Sequence, residues 1–320
     1  GNGSAFAAVL HDGALVTWGP DSEGGGSTSS QNDLRGCIES VVSSERAFAA
    51  LDSEGHVATW GSIGLLPQEG SLENVKSIYS NAFAFAALRA DGSLVTWGHH
   101  ECGGDSSCVQ EQLTSGVVHI HAAPRAFAAV RTVDPESLHT VIAWGDKHCG
   151  GDCSAVQAQL SNVPPGIRLF SNLRAMAVIH ADGSVVSWGD ADCGGDSSKV
   201  QEQLGSGVEH IYHTLRAFAA VRSDGSLLAW GSADHGGQLS EGLLLRDVRD
   251  VCATGAAFAA VQADGSVVSW GYPDDGGDAS KVRDLLTDGV LHVRASSRAF
   301  AAVKKDGSVV AWGSPEHGGL

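Results

Sequence analysis

Basic residues are scarce in this chain of 320 residues: 20 Lys and Arg face 37 Asp and Glu, for a formal net charge of −17. No Lys/Arg-rich arm lies at either end, so the concentrated positive surface that a phosphate backbone demands is missing and nucleic acid is not an expected partner. Apolar runs are broken by His, Asp or Gly well short of the roughly 18 residues that a spanning helix needs, and no signal-peptide pattern opens the chain. Membrane insertion is therefore not expected. The seven cysteines are odd in number and irregularly spaced, which does not describe a disulfide framework and points to a reducing compartment such as cytoplasm, nucleus or organelle stroma. Gly1 rather than Met stands first, which is compatible with removal of a leader. No Gly-x-Ser-x-Gly elbow, phosphate-cradling loop or His-Glu-x-x-His helix occurs, so an enzyme is not expected. No cofactor is expected either, and no small-molecule ligand.

With 42% hydrophobic and 18% charged residues, the chain is nonetheless that of a folded protein able to bury a large core. Its organisation is repetitive. "AFAAVRSDGSLLAWG" (217–231) returns as "AFAAVQADGSVVSWG" (257–271), and all eight tryptophans close such a unit: Trp18, Trp60, Trp97, Trp144, Trp188, Trp230, Trp270 and Trp312. No tryptophan is left over for a separate role.

Within a unit, Val208 to His213, Ala217 to Val221 and Ser226 to Trp230 read as three short strands. Asp-Gly separates the last two in six of the copies, with Asp224-Gly225 as one example; the second copy has Glu54-Gly55 and the fourth departs. This dipeptide predicts a two-residue hairpin turn in which Asp and Gly both take positive φ. Between units, "CGGDSSKVQEQLGSG" (193–207) predicts a short helical turn. Asp196 or Ser197 caps it, Val200 and Leu204 lie on one face, and Gly205 ends it.

A strand such as Ala-Phe-Ala-Ala-Val is apolar on both faces and needs cover above and below. Small sheets stacked on copies of themselves supply that cover. The predicted fold is therefore all-β: residues 1–320 as a single β-propeller of about eight three-stranded blades, or alternatively seven, with short helical turns between blades and the tryptophans as wedges. The chain begins at a second strand and ends before another first strand, so the first and last copies are expected to share one unit that is a strand short, with the two ends adjacent.

The pattern Ile-x(4)-Arg-Ala-Phe-Ala-Ala-Val-x-x-Asp-Gly-Ser, closed by Trp-Gly and followed by Gly-Gly, resembles the regulator of chromosome condensation repeat across essentially the whole chain. Its spacing is similar to compact members such as bacterial β-lactamase inhibitory proteins, and the Gly-Gly-Asp variant to arrays in algal proteins. Two departures stand out. Family members commonly carry His where this chain has Arg46, Arg125, Arg174, Arg216 and Arg298, and the usual Gly-Gln-Leu survives only at Gly237-Gln238-Leu239. The family includes small-GTPase exchange factors, ubiquitin-ligase substrate-binding propellers, a photoreceptor and protein inhibitors, and the fold alone does not choose among them.

The resemblance and the missing catalytic motifs together lead to a non-catalytic scaffold or accessory subunit that binds another protein or a multi-subunit complex. A regulatory module, such as an exchange factor, ligase propeller or protein inhibitor, is the alternative. Three sets of residues are candidates for the contact. The five arginines fall at one repeat position and hence on one face, where they meet either an acidic partner or structural acids such as Asp146 and Asp190. The fourth copy has an expanded hairpin containing Asp134, Pro135 and Glu136, and the second copy carries Leu65 and Leu66 in place of the Gly-Gly-Asp turn. Cys102, Cys149 and Cys193 occupy equivalent positions in different copies, which spreads them apart and argues against a metal centre. His210 and His213 read as an ordinary strand pair.

Overall fold

The computed structural model describes residues 1–26, 34, 36–63, 72–133, 138–239 and 245–319. Its regular structure is almost wholly β. Among the described residues, seven three-stranded antiparallel sheets and one two-stranded sheet follow one another along the chain, each formed from consecutive strands, with the middle strand of each three-stranded sheet in the centre. We number these blades 1 to 8. Blade 1 has Phe6–Val9 and Leu15–Trp18 only. Blade 2 has Ile38–Ser43, Ala47–Asp52 and Val57–Gly61, and blades 3 to 8 repeat that pattern to Val290–Ala295, Ala299–Lys304 and Val309–Gly313. The all-β blade architecture expected from the repeat is thus the one observed, with eight blades rather than seven and the first a strand short. The chain divides into two compact units, Gly1–Pro165 with blades 1 to 4 and Gly166–Leu320 with blades 5 to 8.

The alternation of side chains across a strand explains why the middle strand repeats so closely. In blade 6, Phe218 stands opposite Trp230 and Ala220 opposite Leu228, while Ala217, Ala219 and Val221 point to the other face. Within each unit, the aromatic face of a blade packs on the small-residue face of the blade before it. Ala257, Ala259 and Val261 of blade 7 form one core with Phe300, Ala302, Val310 and Trp312 of blade 8. Ala84, Ala86 and Leu88 of blade 3 do the same with Phe127, Ala129 and Trp144 of blade 4. Connector residues complete each seam: Leu113, Leu204 and Leu286 are all buried there. Phe and Trp stack within a blade at centroid distances of 5.2 to 5.5 Å. Blade 5 has Met176 opposite Trp188 instead.

The hairpin turn differs from the sequence expectation. Arg222 N–H donates to the Ser226 carbonyl at 3.0 Å, and Gly225 N–H to the Arg222 carbonyl at 2.9 Å. The loop therefore holds three residues, Ser223 to Gly225. Gly225 takes φ 75°, whereas among the described residues Asn74, Asn162 and Asp247 are the non-glycine residues with positive φ, so Asp224 is not one of them. This is the three-residue hairpin, a type I turn closed by a left-handed glycine. Asp224 serves as a side-chain acceptor instead. Its Oδ1 takes the Ser226 N–H at 3.0 Å, and the hydrogen bonds from Ser226 hold its carboxyl below the usual carboxylate value.

The connectors are short 3-10 turns, with one turn of α-helix at Gln157–Leu160 in the fourth copy. In the stretch read from sequence, the turns are Ser198–Val200 and Gln203–Gly205. Asp196 Oδ1 accepts from Ser198 N–H at 2.9 Å, so Asp196 rather than Ser197 is the cap.

Candidate interaction face

The first and second strands of each blade are joined by a tight corner, and the corners within each unit are hydrogen-bonded in series. In Gly1–Pro165, Glu45 N–H donates to the Ala82 carbonyl (2.8 Å) and Ala82 N–H to the Pro124 carbonyl (3.3 Å). In Gly166–Leu320 the series runs from Leu173 N–H to Leu215 (3.1 Å), Leu215 to Gly255 (2.9 Å) and Gly255 to Ser297 (2.8 Å). The residue after each corner is the arginine position. Its five arginines lie on the corner edge of their blades, as the repeat predicts.

Four of the five arginines are engaged by carboxylates. Arg125 Nε lies 3.0 Å from Asp146, and Arg174 Nε 3.3 Å from Asp190. Arg46 Nε lies 3.3 Å from Glu23, and Arg298 Nε 2.6 Å from Asp275. The choice of partner follows the sequence. Asp146 and Asp190 stand two residues after the tryptophan of the same blade, and where that position is Ser the arginine turns to the preceding connector, five residues after its tryptophan. Arg125 also lies over the Phe83 ring, 5.3 Å from its centroid.

Arg216 is the exception. Its own blade carries Ser232, and the preceding connector offers Cys193, whose Sγ accepts from Arg216 Nε at 3.3 Å. Cys193 is buried, and burial pushes its thiol up against the opposing pull of the Arg216 hydrogen bond. A neutral sulfur supplies no counter-charge at contact distance, and among the described residues Arg216 is the corner arginine with no carboxylate within 4.0 Å, although Asp190 and Asp192 act on it from farther away.

Beside Arg174 and Arg216, two corners carry leucine at their tips. Leu173 is 39% exposed and Leu215 51%, and the hydrogen bond between them makes them neighbours. The equivalent tips elsewhere are Glu45, Ala82, Pro124, Gly255 and Ser297. The motif reading passed over these leucines because it sought departures in loop length. The signal that finds them is the pair "NLRA" and "TLRA", where an apolar residue occupies a turn tip.

The remaining sequence candidates fall elsewhere. Leu65, Leu66, Asp134, Pro135 and Glu136 lie outside the described residues. Cys102, Cys149 and Cys193 sit at the ends of separate connector turns, and among the described residues no group of three or more His, Cys, Asp or Glu is arranged to hold a metal ion. His210 packs on Tyr212 and Phe170, at centroid distances of 4.5 and 5.4 Å. No described helix is long and apolar enough to cross a membrane.

No protein-family model matches the chain, and no curated protein matches it. Among solved structures, Prp20p from Saccharomyces cerevisiae is similar over 77% of this chain and 73% of its own, with 16% identity and a TM-score of 0.39. The ectodomain of the receptor kinase CR4 from Physcomitrella patens is similar over 87% of this chain and 73% of its own, at 15% identity and a TM-score of 0.41. The computationally designed Ika8 protein is similar over 88% and 85%, at 13% identity and a TM-score of 0.34. At such scores the fold assignment rests on the blades themselves.

Proposed function

We propose that the chain is a non-catalytic protein-binding scaffold whose contact face is the corner edge of blades 5 and 6. One observation carries this reading: Leu173 and Leu215 are exposed on adjacent corners, directly beside the one corner arginine without a carboxylate partner among the described residues. An apolar tip flanked by a guanidinium with no carboxylate in contact matches a partner segment that presents an apolar side chain next to a carboxylate. The other four corner arginines serve the blades, since a guanidinium already held by Asp or Glu has less to offer an incoming acid.

The test is quantitative co-purification with four baits: wild type, Leu215→Asp, Arg216→Ala and, as a control, Leu291→Asp at an exposed leucine of a first strand. A partner whose recovery falls at least tenfold with both corner variants and holds with the control supports the reading. Unchanged recovery across all four baits removes it.

A further inference from the structure

Seams within a unit are closed by one repeated contact. Trp60, Trp144, Trp230, Trp270 and Trp312 each donate Nε1–H to the carbonyl of a connector glycine, those of Gly24, Gly103, Gly194, Gly236 and Gly276, at 2.9 to 3.1 Å. Each glycine stands six residues after the tryptophan of the preceding copy and holds φ between 86° and 98°. It also lies so close to the incoming Phe that an added Cβ would come 2.5 to 2.7 Å from the ring. Only glycine meets both demands.

The seam between blades 2 and 3 departs from this pattern. Six residues after Trp60 the sequence has Leu66, and the connector is shorter, 13 residues in 62–74 against 18 in 99–116, 190–207 and 272–289. Trp97 is 1% exposed, as deeply buried as Trp144 in the next seam, yet its Nε1–H meets no acceptor among the described residues. The apolar packing around it is that of the other seams, with Ala47, Ala49 and Leu51 against Phe85, Ala87 and Trp97. Its described connector residues are held less firmly: Ile63 and Leu72 are only partly buried, where Leu113, Leu204, Leu245 and Leu286 are buried in other seams. A buried donor left without an acceptor burdens the closed seam with its desolvation, and water relieves that penalty once the indole is reached.

The first-strand side of the same seam is fastened. Ser80 Oγ donates to the Ser43 carbonyl at 2.9 Å, Val75 N–H to the Gly55 carbonyl at 2.9 Å and Glu45 N–H to the Ala82 carbonyl at 2.8 Å. Trp97 belongs to the third strand, on the other side of the blade. We infer that the unit Gly1–Pro165 opens at this seam: blade 3 parts from blade 2 along the third strands, pivots on the first strands and carries the Trp97 indole N–H to water. The seam between blades 3 and 4 stays shut during this motion, because Trp144 keeps its bond to Gly103. Such an opening is smaller than global unfolding, and it uncovers the Phe85–Trp97 face of blade 3 and the small-residue face of blade 2 together.

Hydrogen exchange of the indole N–H groups tests this, followed by NMR in the 320-residue chain carrying isotope-labelled tryptophan, at rising urea below the unfolding transition. Trp97→Phe and Trp144→Phe assign the two resonances. Trp97 Nε1–H is expected to exchange at least tenfold faster than Trp144 Nε1–H, at a rate that climbs with urea less steeply than global unfolding does. Trp97→Phe deletes an unpaired donor and is expected to lower the urea midpoint less than Trp144→Phe, which strips the Gly103 carbonyl of its donor. Exchange at Trp97 that is less than tenfold faster than at Trp144 overturns the proposal. Fast exchange that ignores urea overturns it as well, since that motion is too small to part the blades, and so does a midpoint loss at Trp97 equal to or larger than that at Trp144.

Discussion

Phe300–Trp312 and Phe6–Trp18 are the same aromatic pair at opposite ends of the chain, stacked at 5.2 and 5.5 Å, but Trp312 is 3% exposed and Trp18 50%. The hairpin alone therefore sets the stacking, because Phe and Trp are directly paired across two antiparallel strands. Burial comes from the neighbouring blade. A local motif of about fifteen residues fixes its own geometry and leaves its stability to the copy beside it, as expected of repeats whose energetics are dominated by nearest neighbours.

The largest expected break in that comparison is at the tryptophans. Trp230→Ala should cost about 3 to 5 kcal/mol, since a large side chain leaves a closed seam. In dilute solution Trp18→Ala should cost under about 0.5 kcal/mol, the ordinary range for a surface change. Urea denaturation of both variants checks the pair, and equal losses would mean that burial is not what the tryptophans contribute.

Glycine substitutions separate backbone strain from collision. Gly276→Ala and Gly318→Ala suffer the same left-handed φ, but only the first drives a methyl group into a phenylalanine ring. Gly276→Ala should be the more destabilising by about 1 to 3 kcal/mol, the usual cost of overpacking. Matching denaturation midpoints would show that strain alone matters at these positions.

Smaller effects are expected at the corners. Arg174→Ala removes a half-exposed ion pair with Asp190 and should cost no more than about 1 kcal/mol. Arg216→Ala, with only a thiol partner, should cost less while having the greater effect on partner recovery. A larger stability loss for Arg216 than for Arg174 would reverse the assignment of roles.

Much of this was legible in the sequence, for physical reasons that differ by element. The strands, the blade count and the tryptophan wedges follow from two-faced apolar runs that only stacked sheets can cover. The arginine partners are readable as well, once the acid two residues after the tryptophan is considered before the residue five after it. The turn was misread because Asp-Gly fits both a two-residue and a three-residue loop, and the choice lies in which carbonyl Gly225 N–H meets. Leu173 and Leu215 were not singled out because a leucine is unremarkable until its position is known to be a turn tip.

The smallest expected effect is one of pH. Burial lowers the proton affinity of His180 from its ordinary value of 6.5, with Asp182 opposing, and its buried Nδ1 has no partner among the described residues. The unfolded chain therefore takes up the proton first, and stability should decline as pH falls below 6.5 toward the depressed native value. The hairpin aspartates, whose carboxyls are held below 3.8, add their own loss only in a more acidic range. His180→Gln should reduce the slope of denaturation free energy between neutral pH and about pH 5 without abolishing it, because burial lowers His213 and His235 as well, and an unchanged slope would exclude this histidine as a contributor.

The most direct measurement is fluorine NMR of the chain labelled with 5-fluorotryptophan, with a soluble paramagnetic agent added and Trp18→Phe used to assign one resonance. The Trp18 signal should broaden strongly while those of the six tryptophans in seams within a unit, Trp60, Trp97, Trp144, Trp230, Trp270 and Trp312, resist. Equal protection of Trp18 and those six signals would contradict the view that one aromatic wedge is repeated along the chain and buried by the blade beside it.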